Sequence, residues 1–405
     1  MKRGLTFSVL LAVAACCVAL PLWAAIGDFT LLHEYAGGAG DGSTSYDQGV
    51  VVDGATIYGA ALQGGANNAG VIFKENTDGT GYALLHQFDG AAGGWLPSCI
   101  TVSGTVVYGT TKLGGANNEG TIFKMNTDGS AFAVIHDFGG AADGRRPHYG
   151  SPAIAGTVLY GVTLYGGTAD RGTVWKINTD GTGYQKLYDF LGGAGNVAYP
   201  WEHPTVSGGV IYGMSSNGGP ADMGTVWKMN TDGTGFALVY SFPGPNAVPY
   251  GTVKISSTTL YGHTSWGGIN GLGSIFKVNT DGSGYAILHD FAGGPGDGRV
   301  PSGSPVISGD RLYGMTALGG TNDRGIVYSI KMDGTGYQVL RNFAGGGNDG
   351  GIPYGGSPAV ANGVLYGQTV QGGDSDIGVV FKLQVANPPP PPPPVPQCFI
   401  GSLFN

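Results

Sequence analysis

The chain has 405 residues, of which 41% are hydrophobic, 11% aromatic and only 11% charged. This composition is too apolar for a disordered chain, and the formal net charge of −8 disfavours nucleic acid and anionic membrane surfaces as partners. Glycine accounts for 79 residues, which predicts many tight turns between buried strands. We therefore expect a folded, all-β protein.

Residues 1–25 have the pattern of an export signal. Basic residues open the segment, an apolar run follows from Leu5 to Leu20, and Pro21 precedes the small residues around Ala25. We predict cleavage near Ala25, with lipidation of Cys16 in a lipobox-like Val-Ala-Ala-Cys stretch as the alternative. Both predict an exported protein, extracellular or at the cell surface. No other apolar run reaches the roughly 18 residues that a membrane span needs.

One pattern recurs through residues 26–385. Its clearest copy is GTVWKINTDGTGYQKLYDF, in which two strands rich in β-branched and aromatic residues flank an Asp-Gly-Thr-Gly hairpin turn. The aromatic residue of the first strand recurs at intervals of 49 to 53 residues, at Phe73, Phe123, Trp175, Trp227, Phe276, Tyr328 and Phe381. A period near 50 residues is typical of β-propellers.

The pattern of each repeat predicts four strands, which we name a to d in chain order. A Tyr-Gly step lies near the start of strand b, and a Gly-Gly loop joins strands b and c. The two ends of the chain complement each other. Phe29–Tyr35 matches a strand d without its c, and Val379–Leu383 matches a strand c without its d. We therefore predict a seven-bladed β-propeller of four-stranded antiparallel blades, in which the N-terminal strand closes the last blade and leaves no free sheet edge. An open β-solenoid is the alternative, and it would not explain the matching ends.

The composition changes after the repeats. Residues 386–397 include the seven consecutive prolines Pro388–Pro394, which favour extended polyproline II and predict a semi-rigid linker. A short apolar tail follows at residues 398–405 and begins with Cys398.

These repeats resemble the tandem GloVer (Gloeo/Verruco) repeats of exported bacterial proteins. The shared unit carries LYG-x-T, a Gly-Gly and then G-x-[VI]-F-K-x-N-x-DGTG-[YF], and it covers residues 29–383. The resemblance implies export and a repeat fold, and it implies no particular reaction or cofactor. Residues 397–400, QCFI, are similar to the start of the CFI-box found at the ends of surface proteins.

Acidic and histidine residues recur in register, and the sequence favours structural roles for them. Asn and Asp in the b–c loops suit left-handed turn backbone, although Asp374 and Asp376 form an Asp-Ser-Asp pair that is the candidate for calcium. One strand d position is His in four repeats and Tyr or Arg in the others, which indicates packing and not metal ligation. No cofactor is predicted.

Aromatic residues concentrate on one sector of the face that carries the d–a and b–c loops. Exposed aromatic rings stack on sugar rings and other flat apolar faces. The sequence therefore predicts a monomeric binding module for a polysaccharide, with a surface protein as the alternative partner. A structural scaffold is a further alternative, in which the rings only pack their own loops. The candidate ligand-binding residues are Trp201, Trp266, Tyr165, Tyr199, Tyr250, His203 and Arg145.

A polysaccharide-active enzyme is the second functional hypothesis. A glycosidase needs two carboxylates, which Glu202 would supply together with an Asp such as Asp143 or Asp222. A lyase needs acid–base groups, and His148 beside Arg145 would serve. No motif spacing marks either arrangement, so the sequence favours binding without catalysis.

Overall fold

The computed structural model describes residues 25–46, 49–147, 150–202, 204–244 and 247–386. The predicted signal peptide with Cys16, the linker beyond Ala386, the tail with Cys398, and the site candidates His148 and His203 lie outside the described residues. Across the described ranges every regular element is a β-strand. None of these residues forms a helix of the length and hydrophobicity that crossing a membrane requires.

Seven four-stranded antiparallel sheets form the blades, each with strands a, b, c and d in spatial order. Blade 1 contains Val50–Asp53, Thr56–Ala61, Val71–Asn76 and Ala83–Gln87. Blade 2 contains Trp95–Ser103, Val106–Leu113, Thr121–Asn126 and Ala133–Asp137. Blade 3 contains Ala153–Ala155, Val158–Thr163, Thr173–Asn178 and Gln185–Asp189. Blade 4 contains Thr205–Ser207, Val210–Ser215, Thr225–Asn230 and Ala237–Ser241.

The remaining blades follow the same plan. Blade 5 contains Val248–Ser256, Thr259–Trp266, Ser274–Asn279 and Ala286–Asp290. Blade 6 contains Gly298–Ser308, Arg311–Gly319, Ile326–Lys331 and Gln338–Asn342. Blade 7 contains Ala359–Ala361, Val364–Thr369, Val379–Gln384 and, as its strand d, the N-terminal Phe29–Glu34. Short two-stranded ladders join Gly42–Ser43 to Gln63–Gly64, Val197–Ala198 to Asn217–Gly218, and Gly350–Gly351 to Gln371–Gly372.

The N-terminal strand closes the ring as predicted. Phe29 pairs with Leu383 and Glu34 with Val379 in an antiparallel ladder. The seven-bladed β-propeller is thereby confirmed. The two ends of the repeat array meet inside blade 7, which has the same strand order as the other blades.

The Tyr-Gly step of strand b makes room for the aromatic residue of strand c. Gly213 lies opposite Trp227 in the ladder of blade 4, and a Cβ on Gly213 would overlap the indole ring. Trp227 is fully buried in the core between blades 3 and 4. The glycine therefore recurs because the ring of the next strand fills the space that a side chain would occupy.

Adjacent blades are joined by a cluster that we name the seam triad: a strand d histidine, an Asp from the d–a loop and a Tyr from the next blade. In the first seam His33 stacks on Tyr82 with ring centroids 3.5 Å apart, and Asp41 bonds to His33 Nε2 at 3.0 Å and to Tyr82 Oη at 2.6 Å. The same positions are filled by His289, Asp297 and Tyr337, and by His136, Asp143 and Tyr184. In the last triad the Tyr184 hydroxyl donates to the backbone carbonyl of Asp143, at 2.7 Å, and not to its carboxylate.

The seam triads give three of the four strand d histidines, His33, His136 and His289, a more specific role than packing. Burial opposes ionisation of Asp41, but hydrogen bonds from His33, Tyr82 and the Ala36 N–H outweigh it and lower the pKa of that carboxyl. The tyrosine that stacks on His33 was missed in the sequence because Tyr82 lies 49 residues from it in the chain.

Candidate functional site

Four aromatic side chains from three blades surround a cavity of about 680 Å³ on the loop face, which we name the aromatic cleft. Trp201 precedes strand a of blade 4, Tyr250 lies in strand a of blade 5, Trp266 ends strand b of blade 5, and Tyr354 precedes strand a of blade 7. Three of them were predicted together from the sequence. The structure adds Tyr354.

Three of the four rings, those of Trp201, Tyr250 and Tyr354, contact one another in a row. The ring of Tyr250 lies 6.2 Å from that of Trp201 and 6.4 Å from that of Tyr354, and Tyr354 in turn lies 5.8 Å from Tyr46 of the first d–a loop. The Trp201 indole N–H donates to Ser216 Oγ at 2.7 Å, which fixes the ring. Trp266 is the most open of the four, with 45% of its surface exposed.

A signal for Tyr354 was present in the sequence. Most d–a loops contain a proline near the start of strand a, and in three loops the residue after it is aromatic and lines the cleft: Pro200-Trp201, Pro249-Tyr250 and Pro353-Tyr354. In two other loops it is serine, after Pro97 and Pro301. Comparing the residue after this proline would have found the ring in blade 7.

The polar groups of the aromatic cleft are neutral except for one carboxylate. Ser216, Asn217, Asp222 and Ser265 contribute to its lining, and no lysine or arginine of the described residues does. Asp222 Oδ1 accepts a hydrogen bond from the Gly218 N–H at 2.7 Å, so one of its oxygens braces the loop. The cleft therefore combines apolar ring faces with hydrogen-bonding groups and a negative charge.

The remaining predicted binding residues form a separate cluster beside blade 3. Tyr165 and Tyr199 meet edge to face with centroids 5.8 Å apart. Arg145 pairs with Asp170 at 2.6 Å and lies 5.4 Å above the Tyr165 ring. An equivalent ion pair between neighbouring loops recurs in blade 6, where Arg299 pairs with Asp323 at 2.7 Å. The repetition indicates that Arg145 braces neighbouring loops.

The aspartates of the b–c loops have turn geometry. Asp376 has a φ of 52°, and its Oδ1 accepts a hydrogen bond from the Gly372 N–H at 2.9 Å. The backbone N–H of Asp374 donates to Glu34 Oε2 at 2.9 Å. Equivalent side chains cap the same loop glycine in five other blades, at Asn68, Asn118, Asp170, Asp222 and Asp323. Over the described ranges no group of three or more His, Cys, Asp or Glu is arranged to hold a metal ion.

A second cavity, of about 280 Å³, lies on the propeller axis beside the aromatic cleft, and we name it the axial cavity. Strands a of all seven blades, or the residues just before them, contribute to its walls. Glu202 is buried there, and its Oε2 accepts hydrogen bonds from Ser304 Oγ at 3.0 Å and Thr252 Oγ1 at 3.3 Å. Lys254 lines the same cavity. Its pKa is lowered by burial, against the opposing effect of the Glu202 charge.

The carboxylate pair considered for a glycosidase is not brought together. Glu202 lies in the axial cavity, whereas Asp143 belongs to the seam triad between blades 2 and 3. The other candidate partner, Asp222, lines the aromatic cleft and not the axial cavity. The Asp143 carboxylate bonds to His136 Nε2 at 3.0 Å and to the Gly139 N–H at 2.8 Å. Lys254 is the charged group near Glu202 that the sequence reasoning missed, since it looks like one more residue of a strand.

Solved structures with this fold include two oligogalacturonate lyases. The enzyme from Vibrio parahaemolyticus gives a TM-score of 0.56 at 12% identity, with 88% of this chain and 93% of that chain covered. An oligogalacturonate lyase in complex with manganese gives 0.56 at 11% identity, covering 85% and 90%. TolB from Acinetobacter baumannii gives 0.41 at 13% identity, covering 66% and 58%. At these identities the likeness concerns the fold alone.

The search of curated proteins found no match. The Gloeobacter/Verrucomicrobia repeat family, in contrast, matches residues 22–222 and 199–388, which together span the whole propeller. The family resemblance drawn from the repeat motif is thereby confirmed: the chain belongs to the Gloeobacter/Verrucomicrobia repeat family.

Proposed function

We propose that this protein is an exported, non-catalytic binding module that holds a polysaccharide in the aromatic cleft. One observation carries the proposal: Trp201, Tyr250, Trp266 and Tyr354, from three blades, converge on one cavity of about 680 Å³. This volume falls in the range of about 300–1,000 Å³ that is common for ligand sites. Flat rings with hydrogen-bonding groups at their edges suit pyranose rings, which have apolar faces and hydroxyl rims.

The charge of the cleft favours an uncharged glycan. Asp222 is its charged side chain, and neither lysine nor arginine from the described part of the chain balances it. A polyuronate would bring carboxylates against this negative charge with no cation to receive them. The oligogalacturonate lyases that share the fold are named for such an anionic substrate. Because the cleft of this chain, over the described residues, has no cation to bind carboxylates, we expect it to prefer a neutral polymer instead.

The test is retention in native gels that contain a neutral β-1,3-glucan, β-1,4-glucan, xylan or mannan, with polygalacturonate as the anionic comparison. The chain from residue 26 onward should be retarded by at least one neutral polymer. Trp266→Ala should reduce that retention at least about fivefold, because an exposed aromatic anchor contributes on the order of 1 kcal/mol or more to binding. Tyr165→Ala, which alters the cluster beside blade 3, is the matched control and should bind normally. Lack of retardation by every polymer would reject the proposal and leave a surface protein as the partner to seek.

An enzyme acting on a polysaccharide is the second candidate, because Glu202 is buried in the axial cavity with two hydroxyl donors. A carboxyl group held in this way can act in acid–base chemistry. Incubating the retained polymer with the protein and analysing the products by chromatography tests the idea. Shortened chains that disappear with Glu202→Gln would favour catalysis, and intact polymer would favour binding alone.

A further inference from the structure

Two charged residues interrupt the repeat pattern at the propeller axis. The position of interest lies ten residues before the tyrosine of each Tyr-Gly step. In four blades it is glycine: Gly150, Gly251, Gly303 and Gly356. In blade 4 that residue is Glu202. In blade 5, seven residues before Tyr261, Lys254 stands where other blades carry Val51, Thr101, Ala153, Thr205, Val306 or Ala359.

These charges are not needed to close the ring. Blades 3, 6 and 7 form their inner strands with Gly, Ser, Pro and Ala or Val at the same positions. Removing a carboxylate or an ammonium group from water is unfavourable unless other groups replace the lost hydration. The pair is therefore an added feature of one side of the axis, and a role in ligand binding explains why blades 4 and 5 alone carry it.

The neighbouring blades hold the Glu202 carboxylate in a fixed direction. Its Oε2 receives the hydroxyl groups of Thr252 in blade 5 and Ser304 in blade 6. Thr252 and Ser304 are also joined, because the Thr252 N–H donates to Ser304 Oγ at 2.7 Å. The carboxylate thus belongs to a rigid network that spans three blades, which is the preorganisation that a polar binding site requires.

The axial cavity and the aromatic cleft are lined by residues that lie close together in the chain. Trp201 lines the cleft, and the next residue, Glu202, lines the axial cavity. In blade 5 Tyr250 lines the cleft and Thr252, two residues on, lines the axial cavity; in blade 7 Tyr354 lines the cleft and Ser357, three residues on, lines the axial cavity. The axial volume of about 280 Å³ is below the range of drug-sized sites. It has room for a single sugar unit and not for a chain.

We propose that the axial cavity is a second subsite, which receives the terminal sugar unit of a glycan lying in the aromatic cleft. In this arrangement the Glu202 carboxylate accepts hydrogen bonds from the sugar hydroxyls, and the Lys254 ammonium donates to them. The inference rests on the proposed function, and it adds that the protein recognises a chain end. A binder that used the cleft alone would hold the middle of a chain equally well.

Chain-end recognition has a direct test. The neutral polymer selected in the gels is compared, as a competitor of equal mass, with its own hexasaccharide, which has many more ends per gram. We expect the hexasaccharide to compete at least about tenfold better per gram for the wild-type protein. Equal competition per gram would overturn the inference while leaving glycan binding in the cleft intact. Failure of every polymer to bind would overturn both.

Variants assign the effect to the axial cavity. Glu202→Gln keeps the shape of the side chain and can still accept from Ser304, so the fold is expected to persist, and Lys254→Met removes the opposite charge. Each should abolish the advantage of the hexasaccharide while retention by the intact polymer stays within about twofold. Lys277→Met, the same charge change in strand c of blade 5, is the control. An advantage that persists in both axial variants would reject the assignment.

Discussion

The imidazole ring of His33 lies flat on the phenol ring of Tyr82, with 3.5 Å between the centroids and 7° between the planes. His33 is in strand d of blade 7 and Tyr82 leads into strand d of blade 1, so the stack joins the blade completed by the N-terminal strand to the blade that follows it. Asp41 bonds to both rings. A contact of this kind can couple the stability of neighbouring blades.

The residues that fill the seam vary together along the chain. Where the strand d residue is Tyr188, the loop supplies Asn196, whose amide donates to the Tyr188 hydroxyl at 2.7 Å. Where it is Arg341, the loop supplies Asp349 at 2.8 Å, and the guanidinium lies 4.1 Å above the ring of Phe29. Chemical complementarity is therefore kept while the residue types change.

Asp297→Ala should destabilise the propeller. Its carboxylate receives His289 Nε2 at 3.0 Å, the Tyr337 hydroxyl at 2.5 Å and the N–H groups of Ala292 and Gly298. Removing the acceptor leaves partly buried donors unsatisfied, so we expect a loss of about 1–3 kcal/mol in the free energy of unfolding. Chemical denaturation measures it. The exposed Asp53→Ala is the control, and equal effects of the two substitutions would argue against a structural role for the triad.

His86 should make stability sensitive to mild acid. It stacks on Phe132 at 3.7 Å, and burial lowers its pKa, against the opposing charge of Asp89. Since the folded state binds the proton less readily than the unfolded state, stability is full above the unfolded pKa of about 6.5 and is lost as pH falls through the folded value. His86→Phe should therefore lose less stability than the wild type between pH 7 and pH 5. Parallel pH profiles for the two proteins would contradict this.

Gly213→Ala should disturb the core of blade 4. The added methyl group would overlap the buried Trp227 ring, which cannot move without disturbing its neighbours. Overpacking of this kind costs about 1–3 kcal/mol. Gly244 has open space around its Cβ position, so Gly244→Ala is the matched control, and thermal melting should separate the two variants clearly.

Deleting residues 28–35 should destabilise the protein much more than deleting residues 387–405. The N-terminal strand supplies a full ladder against Val379–Gln384, and Phe29 stacks on Phe381 with centroids 5.4 Å apart. Without it, blade 7 would expose a strand edge and part of its core. Melting temperatures of the two truncated proteins provide the measurement, and similar values would contradict closure of the ring by this strand.

The fold was predictable because it depends on features that repeat. The predicted strand Phe29–Tyr35 is Phe29–Glu34 in the structure, and the predicted strand Val379–Leu383 is Val379–Gln384, so each differs by one residue at its end. The ring closure followed from counting strands. Each of these inferences uses a local pattern and its spacing, and both are repeated seven times within this one sequence.

The site was predictable only where loop position determined it. Trp201, Tyr250 and Trp266 share the loop face, and the meander order of the strands places that face without further information. Tyr165 and Tyr199 share it too, yet they pack against each other, because the angle between blades decides which loops meet. Lys254 was missed for a related reason. Strand a lines the axis, and the alternation of side chains along one strand does not show which residues of different blades meet around the axial cavity.

Glu75→Met should stabilise the propeller at neutral and alkaline pH. Glu75 is only 1% exposed, and neither of its carboxylate oxygens has a hydrogen-bond partner among the described residues. Burial raises its pKa to about 7, although the charges of His33 and Lys382 act in the opposite direction. The equivalent residues of blades 2 and 4 are Met125 and Met229, both buried. Methionine therefore fits the site without a charge.

The sign of the pH dependence follows from the raised pKa. The folded state holds the Glu75 proton more tightly than the unfolded state, so its contribution is full below about pH 4.5 and is lost as pH rises towards 7. The gain from Glu75→Met should thus be about 1–3 kcal/mol larger at pH 8 than at pH 5. Met125→Glu, the reverse change in blade 2, should introduce a comparable loss of stability at pH 8. Denaturation curves at both pH values measure the two effects, and a gain from Glu75→Met that is independent of pH would show that the carboxyl is hydrated in the folded state.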